Sequence, residues 1–297
     1  MRTSVYKIGH VFIELNMPEE MMMPDNMLKF QVSGNELQNS LKMRYYLDFV
    51  DDISVREKDM DAQKIEGKEA KRDNIRVFQT GKGECRCINF VGDDLPYAVT
   101  LKESGDVTRI WFRKACAHML LFETVFVSAL ALEKLMIDAD ALILHSAYMN
   151  YNGRAILFSA PSETGKSTQA SLWEKYRGTY TVNGDRSLLI REIDGWYAYG
   201  WPICGSSEIC INEVHPVHAI VMLKQAKENK VYPLKGFSAL REVMEQITIN
   251  TWDREFQLKV MDQLEVLLEE MPGYMLECDI SEDAVNCLEA ELSHCEG

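Results

Sequence analysis

The chain has 297 residues, of which 46% are hydrophobic and 26% charged, so it has enough apolar material for one large or two modest globular domains. Its formal net charge of -14 at pH 7 would repel nucleic-acid backbones and anionic lipid surfaces, so we expect neither a nucleic-acid nor a membrane partner. The eight cysteines lack the paired spacing of zinc and redox motifs, and the first residues lack the apolar core of a secretory signal, so we expect reduced thiols and a cytoplasmic location.

The N-terminal part of the chain is rich in strand patterns. Apolar runs at 6–15, 75–80, 85–91 and 97–101 are separated by turn residues and predict a strand-rich domain over residues 1–112. Between them, residues 51–73 are rich in Lys, Glu and Asp, which predicts a solvated loop or an exposed helix.

An apolar segment at 115–135 separates this part from the rest of the chain. It contains His118, Glu123 and Lys134, and an ionised Glu123 near the middle of a bilayer would cost several kcal/mol. We therefore predict a second domain over 113–297 that begins with a buried linking helix over 114–136.

The second domain alternates strands and helices. Strands are predicted at 142–149 and 154–159, joined by an Asn152–Gly153 turn, and then at 180–183, 187–193, 196–201 and 219–224. Helices are predicted after residue 165, where Gly178 ends the first one, and near 236–249, 253–271 and 281–292. This order predicts an α/β fold with C-terminal helices.

Residues 160–167, APSETGKS, fit the phosphate-loop pattern of a small residue, four variable positions, Gly, Lys and Ser or Thr. A predicted strand precedes the loop and a predicted helix begins near Lys166, so backbone amides would converge on phosphate oxygens at a helix N-terminus. Lys166 would reach the β- and γ-phosphates, and the Ser167 hydroxyl would coordinate Mg²⁺. The predicted nucleotide-binding residues are Ala160, Ser162, Glu163, Thr164, Gly165, Lys166, Ser167 and Thr168.

Asp185 follows the predicted strand 180–183, where a second metal-binding group is needed. Its carboxylate could hold Mg²⁺ or take the proton from an attacking hydroxyl. A lone Asp beside a glycine is more often only a turn residue, so this assignment depends on the phosphate loop upstream.

The segment WPICGSSE places small polar residues where a strand is predicted to end. Gly205, Ser206 and Ser207 offer amides and hydroxyls for a phosphate or a peptide, and Glu208 offers a carboxylate to the metal or the substrate. A plain turn explains the segment equally well.

The stretch LHSAYMNYNGRAILFSAPSETGKSTQASLW, followed by NGD and GWPICGSSE, resembles the kinase domain of the HPr kinase/phosphorylase family, especially its smaller bacterial relatives encoded with modified-peptide pathways. The resemblance covers about residues 140–292. It implies a phosphate-loop fold with a mixed sheet, related to phosphoenolpyruvate carboxykinase, and phosphoryl transfer to a serine hydroxyl.

By this resemblance, Lys166 and Ser167 match the family's loop lysine and metal-binding serine, and His145 matches the histidine at the end of the strand before the loop. Asp185 matches the second carboxylate of the family's acidic pair. Gly184 stands at the first position of that pair, so one carboxylate fewer is present to bind the metal and transfer protons. This departure argues against either the full metal site or the reverse, phosphorolytic reaction.

The principal hypothesis is a kinase that uses ATP or another triphosphate with Mg²⁺, with Asp185, His145 and Lys166 as its catalytic residues. The expected partner is a peptide or protein that carries an acceptor serine, and a homo-oligomer is compatible with the sequence. Two alternatives remain open: a nucleotide-gated binding module without turnover, which Gly184 favours, and a kinase that acts on a small molecule such as free serine.

Overall fold

The computed structural model describes residues 1–33, 41–72, 74–103 and 105–294. The chain divides into two compact units, Met1–Leu135 and Met136–Gly297. The seven cysteines within the described ranges are thiols, as predicted, whereas Cys295 lies outside them.

The first unit is built on a nine-stranded sheet. Its strands are β1 (Arg2–Ile8), β2 (Val11–Met17), β3 (Gln31–Val32), β4 (Leu41–Val50), β5 (Lys64–Arg72), β6 (Ile75–Thr80), β7 (Gly83–Asn89), β8 (Pro96–Glu103) and β9 (Val107–Arg113). They lie in the order β3-β1-β2-β4-β9-β8-β7-β6-β5. The helices α1 (Asp25–Leu28), α2 (Ile53–Asp61) and α3 (Glu123–Leu130) complete the unit.

The prediction for residues 51–73 was wrong for the second half of that segment. Its first half forms α2, which begins where the Asp52 side chain accepts a hydrogen bond from the Ser54 amide at 3.0 Å. Its second half forms the edge strand β5, which, among the described strands, pairs with β6 alone. A charged strand is compatible with this position because an edge strand keeps much of its surface in water. Asp73 lies outside the described residues.

The single linking helix predicted over 114–136 was also wrong. The segment forms a 3₁₀ helix (Lys114–Leu121), α3 and a short helix α4 (Leu132–Asp138), with breaks at Phe122, which is extended, and at Ala131, which is left-handed with φ 52°. The last carbonyls of α3 accept side-chain hydrogen bonds from the sheet, from Tyr45 Oη to Leu130 at 2.9 Å and from Thr100 Oγ1 to Ala129 at 2.8 Å. These bonds satisfy carbonyls that a continuous helix would use itself.

The second unit contains eight strands over residues 136–294, the part of it that the structure describes. They are β10 (Ala141–Tyr151), β11 (Arg154–Ser159), β12 (Tyr180–Asn183), β13 (Arg186–Glu192), β14 (Gly195–Tyr199), β15 (Val214–Gln225), β16 (Lys230–Leu234) and β17 (Gly273–Cys278). Neighbouring strands run in the order β12, β10, β11, β15, β17 and β16, in which β11, β15 and β17 are parallel. Strands β13 and β14 connect the start of β10 to the start of β15.

Four helices cover this sheet: α5 (Lys166–Arg177), α6 (Gly236–Met244), α7 (Arg254–Glu270) and α8 (Glu282–His294). Alternating residues of the strands face two separate cores. Leu157 lies in the core that includes Val243 of α6 and Val260 of α7, and Phe158 lies in the core that includes Trp173 of α5 and Leu288 of α8.

The predicted α/β class is confirmed, with a strand-rich first part and, in the second, a mixed sheet with C-terminal helices. Over the described residues, no helix combines the length and the apolar character needed to cross a bilayer.

Candidate functional site

The phosphate-loop motif lies between β11 and α5, as its sequence predicts. Ser159 is the last residue of β11, and Lys166 is the first residue of α5. Strand β11 is buried between neighbours on both sides, β10 and β15, so the loop leaves the sheet at the carboxyl end of an interior strand. In α/β sheets this end is the usual place for a ligand.

The loop backbone adopts conformations that bring its amides to the start of α5. Gly165 has φ 117°, a value open mainly to glycine, and Glu163 is left-handed with φ 64°. The Gln169 amide donates to the Gly165 carbonyl at 2.9 Å. The backbone amides that precede Gln169 therefore lie in the first turn of α5, where N–H groups have no carbonyl partner within the helix and can bind other acceptors. Gln225 Nε2 supports the loop by donating to the Thr164 carbonyl at 3.2 Å.

Lys166 is buried, with 8% of its surface exposed. Its Nζ donates to the carbonyls of Ala160 at 3.0 Å and Pro161 at 3.5 Å. An ammonium group carries three donor hydrogens, one more than these two carbonyls use. Burial lowers the pKa of Lys166 below its ordinary value, and the charge of Asp185 opposes part of that shift.

Asp185 and His145 lie together beside this loop. Asp185 immediately precedes β13, and His145 lies in β10, paired with Arg186. His145 Nε2 is 3.3 Å from Asp185 Oδ1, and Nδ1 is 3.3 Å from Gln246 Oε1, so the ring bridges the two side chains. The Ser159 hydroxyl donates to the His145 carbonyl at 2.7 Å, which ties this pair to the end of the strand that feeds the loop.

The electrostatic surroundings favour an ionised Asp185. Burial by itself raises the pKa of this carboxyl, but the hydrogen bond with His145 and the positive charges of Arg186 and Lys166 together lower it below the ordinary aspartate value. The Arg186 guanidinium lies 3.2 Å from Asp185 Oδ2 and donates to Thr248 Oγ1 at 2.8 Å. Asp185 is therefore a carboxylate at neutral pH and can accept a proton or bind a cation.

Asn183 organises the turn that presents Asp185, a role that the sequence analysis did not assign. Its Oδ1 accepts from the amides of Asp185 and Arg186, both at 2.9 Å, and its Nδ2 donates to the carbonyl of Trp201 at 2.7 Å and of Ile203 at 3.1 Å. An Asn followed by Gly and Asp is a signal for such an Asx turn. The roles of Gln246 and Arg186 have no comparable sequence signal.

The loop Trp201–Glu208 reaches the same turn. A Cβ atom placed on Gly205 would lie 3.1 Å from the Asp185 side chain, so this part of the loop lies against the carboxylate. A Cβ atom on Gly184 would lie 2.4 Å from Ser207 Cβ and 2.0 Å from its Oγ. Ser207 thus fills the space that a side chain at position 184 would need, and it is held there by a 2.7 Å hydrogen bond from its hydroxyl to the Cys204 carbonyl.

The other predicted site residues are mostly at the surface. Ser162, Glu163, Ser167 and Thr168 are exposed around the loop, whereas Ala160 is fully buried at its start. Ser206 and Glu208 are exposed on the loop that contains Ser207. The structure thus brings Lys166, Asp185, His145 and Gly205 into one neighbourhood and leaves the hydroxyls of the phosphate loop open to a ligand.

Two side chains at this site are of types that bind Mg²⁺ together with phosphate oxygens and water. Searching the part of the chain that the structure describes gives no group of three or more His, Cys, Asp or Glu side chains able to hold a metal. Mg²⁺ is commonly held by one or two protein groups together with substrate phosphates and water, and the hydroxyl of Ser167 and the carboxylate of Asp185 are of the right type.

Comparison with known proteins gives a family and a distant structural likeness. The family model described as SynChlorMet cassette protein ScmC matches residues 122–290, more than half of the chain. No curated protein matches the sequence. The solved structure of the Hpr(Ser) kinase/phosphatase from Coxiella burnetii is similar at 11% identity and a TM-score of 0.31, over 52% of this chain and 94% of that chain. A likeness this low carries no argument about activity.

Proposed function

The chain belongs to the ScmC family of SynChlorMet cassette proteins, and we propose that its second unit is a kinase that transfers the γ-phosphoryl group of a magnesium nucleoside triphosphate to a serine hydroxyl of a peptide or protein. The observation that supports this proposal is the convergence of Lys166, at the start of α5, with the Asp185–His145 pair on one flank of the phosphate loop.

Each group has a defined role in the proposed reaction. The amides at the start of α5 and the Lys166 ammonium hold the β- and γ-phosphates, and the Ser167 hydroxyl and Asp185 are the proposed protein ligands of Mg²⁺. The bound metal would neutralise charge that develops on the phosphate oxygens. The acceptor oxygen forms a bond to the γ-phosphorus, the bond to the β–γ bridging oxygen breaks, and the hydroxyl proton passes to Asp185. His145, which is hydrogen-bonded to Asp185, orients that carboxylate.

The proposed acceptor is a seryl hydroxyl on a peptide or protein in the cytoplasm, and the proposed donor is ATP or another triphosphate. The resemblance of the sequence motifs to those of HPr kinases, rather than the structural likeness, supports serine as the acceptor residue. Gly205 and Ser206 lie on the loop beside Asp185 and are the proposed contacts for the acceptor. We propose no nucleic-acid partner, since the net charge of -14 opposes one.

A second candidate function is a nucleotide-gated binding module without turnover. It is favoured by the packing of Ser207 against Gly184, which leaves no room for a second carboxylate beside Asp185. The two functions differ in their product: a kinase forms phosphoserine, whereas a binding module captures its partner in the presence of nucleotide and leaves it unmodified.

The test is a transfer assay with γ-labelled ATP and Mg²⁺. Acceptors would be peptides from short open reading frames beside the gene and, as an alternative acceptor, free serine. We expect label on peptide serine with the wild type and none with Lys166→Ala, because loss of the ammonium removes the positive charge next to the transferred group. Lys175→Ala is the matched control, since Lys175 lies on the same helix α5 but is exposed.

Three outcomes are informative. Equal transfer by the wild type and Lys166→Ala would contradict the assigned site. Tight nucleotide binding without label on any acceptor, combined with nucleotide-dependent capture of a peptide, would favour the binding module. Label on free serine alone would establish a small-molecule kinase.

A further inference from the structure

A large open cleft adjoins the phosphate loop in the second unit. Its volume is about 830 Å³, within the range of pockets that bind small molecules. The cleft is bounded on one side by the loop and on the others by strands β15, β16 and β17 and by α6. The lining residues used below are Thr164, Tyr232, Leu234, Ser238 and Met275.

The order of the strands places this cleft and Asp185 on opposite flanks of the loop. Strand β11, which feeds the loop, lies between β10 and β15. The β10 flank carries His145 and, through the paired strand β13, Asp185. The β15 flank continues through β17 to β16, whose residues form the cleft wall.

The geometry of phosphoryl transfer gives these two flanks different roles. The attacking oxygen, the γ-phosphorus and the leaving oxygen lie roughly in line, so the acceptor and the nucleoside extend from opposite ends of the triphosphate. Because Asp185 must contact the acceptor hydroxyl in the proposed reaction, the acceptor approaches from the β10 flank. The nucleoside then leaves the loop on the β15 flank, where the cleft begins.

The cleft has the chemistry that an aromatic base and a sugar require. Leu234 and Met275 are partly buried, and the Tyr232 side chain, 40% exposed, adds an aromatic ring. Glu277 accepts hydrogen bonds from Tyr232 and, at 2.7 Å, from Lys224 Nζ, so the Tyr232 hydroxyl is anchored. An apolar floor with one aromatic side chain and a polar rim suits a planar base that stacks on one face and hydrogen-bonds at its edge.

We propose that this cleft binds the base and ribose of the nucleoside triphosphate, an inference that rests on the proposed function of the loop. The protein then recognises its donor in two separate places, with the triphosphate on the loop amides and Lys166 and the nucleoside against Tyr232, Leu234 and Met275.

The test compares binding of MgATP with binding of magnesium tripolyphosphate, which lacks the nucleoside, by titration calorimetry on the full-length chain. Two variants alter the cleft: Ser238→Trp fills it, and Tyr232→Ala removes the aromatic ring. Ser293→Trp on α8 is the control for the first, because Ser293 is exposed and, like Ser238, donates its hydroxyl to a backbone carbonyl at 2.9 Å.

We expect the wild type to bind MgATP more tightly than magnesium tripolyphosphate. Each cleft variant should weaken MgATP binding by about tenfold or more, the value of one lost stacking contact, and leave tripolyphosphate binding unchanged. Ser293→Trp should match the wild type with both ligands.

The inference is overturned if the wild type binds both ligands equally, if the cleft variants weaken both ligands or neither, or if those variants raise the KM for the acceptor while the affinity for MgATP stays at the wild-type value. In these cases the phosphate site itself stands. If the wild type binds neither ligand, the proposed function fails together with this inference.

Discussion

Lys166 combines burial with a predicted role as a phosphate ligand, and this combination has a measurable consequence. Burial lowers its pKa in the protein without ligand, whereas the negative charge of a bound triphosphate would raise it. Between the two pKa values, binding must therefore take up a proton, and affinity must fall as pH rises through the lower value.

We predict that nucleotide binding takes up protons at alkaline pH, below the ordinary lysine pKa of about 10.4, and takes up fewer as pH falls and Lys166 becomes protonated before the nucleotide binds. The measurement is calorimetric titration of MgATP in buffers of different ionisation enthalpy. Lys166→Arg is the control because a guanidinium stays charged throughout this range. Uptake that persisted unchanged in Lys166→Arg would assign the proton to another group.

For Asp185, the pH dependence to be tested is that of folding stability, and it runs in the opposite direction from that of nucleotide binding by Lys166. Its folded-state pKa lies below the ordinary value, so its charged interactions contribute stability that is fully present above a pH of about 3.9 and is lost only as pH falls through the lower folded value. We predict that the difference in free energy of unfolding between the wild type and Asp185→Asn does not shrink between pH 8 and pH 5. Urea unfolding at several pH values measures it, and a difference that decreased steadily over this range would show that the carboxyl has a raised pKa.

At the scale of the element, the turn before β13 packs closely against the loop Trp201–Glu208. Gly184 leaves no room for a Cβ because Ser207 occupies the space. We predict that Gly184→Ala destabilises the protein by about 1–3 kcal/mol, the usual cost of overpacking. The double variant Gly184→Ala, Ser207→Gly should recover part of that loss.

A double-mutant cycle from urea unfolding gives the coupling between positions 184 and 207. Additive effects in this cycle would mean that the two residues do not compete for the same space. Ser206→Gly serves as the control for the loop substitution, because Ser206 is an exposed neighbour of Ser207.

Elements differed in how well the sequence predicted them. The unit from β11 to α5 was predicted closely because its strand pattern, its motif and its terminal Gly178 are all local signals. The long helix over 114–136 was not, since its apolar composition is equally compatible with three short segments, of which α3 ends at carbonyls that accept hydrogen bonds from Tyr45 and Thr100. Strand β17 was missed because its sequence, GYMLEC, is short and lies between two helices.

The whole molecule should be stabilised by its nucleotide, because the loop and the Asp185 flank are assembled only in the folded second unit. We predict that MgATP at a hundred times its Kd raises the free energy of unfolding of this unit by about 2.7 kcal/mol. Urea unfolding followed by tryptophan fluorescence measures it, since Trp173, Trp196, Trp201 and Trp252 lie in this unit. Lys166→Ala should show a much smaller gain, and an equal gain would place the nucleotide elsewhere.

The sequence by itself determined the phosphate-loop motif, the strand and helix on either side of it, and the α/β class, because each depends on hydrogen bonds and apolar spacing among consecutive residues. Only the tertiary structure decided that His145 meets Asp185, that Ser207 fills the space at Gly184, and that a cleft opens on the other flank of the loop. Those features depend on strand pairing and side-chain packing between segments far apart in the chain. Local sequence patterns do not predict such contacts.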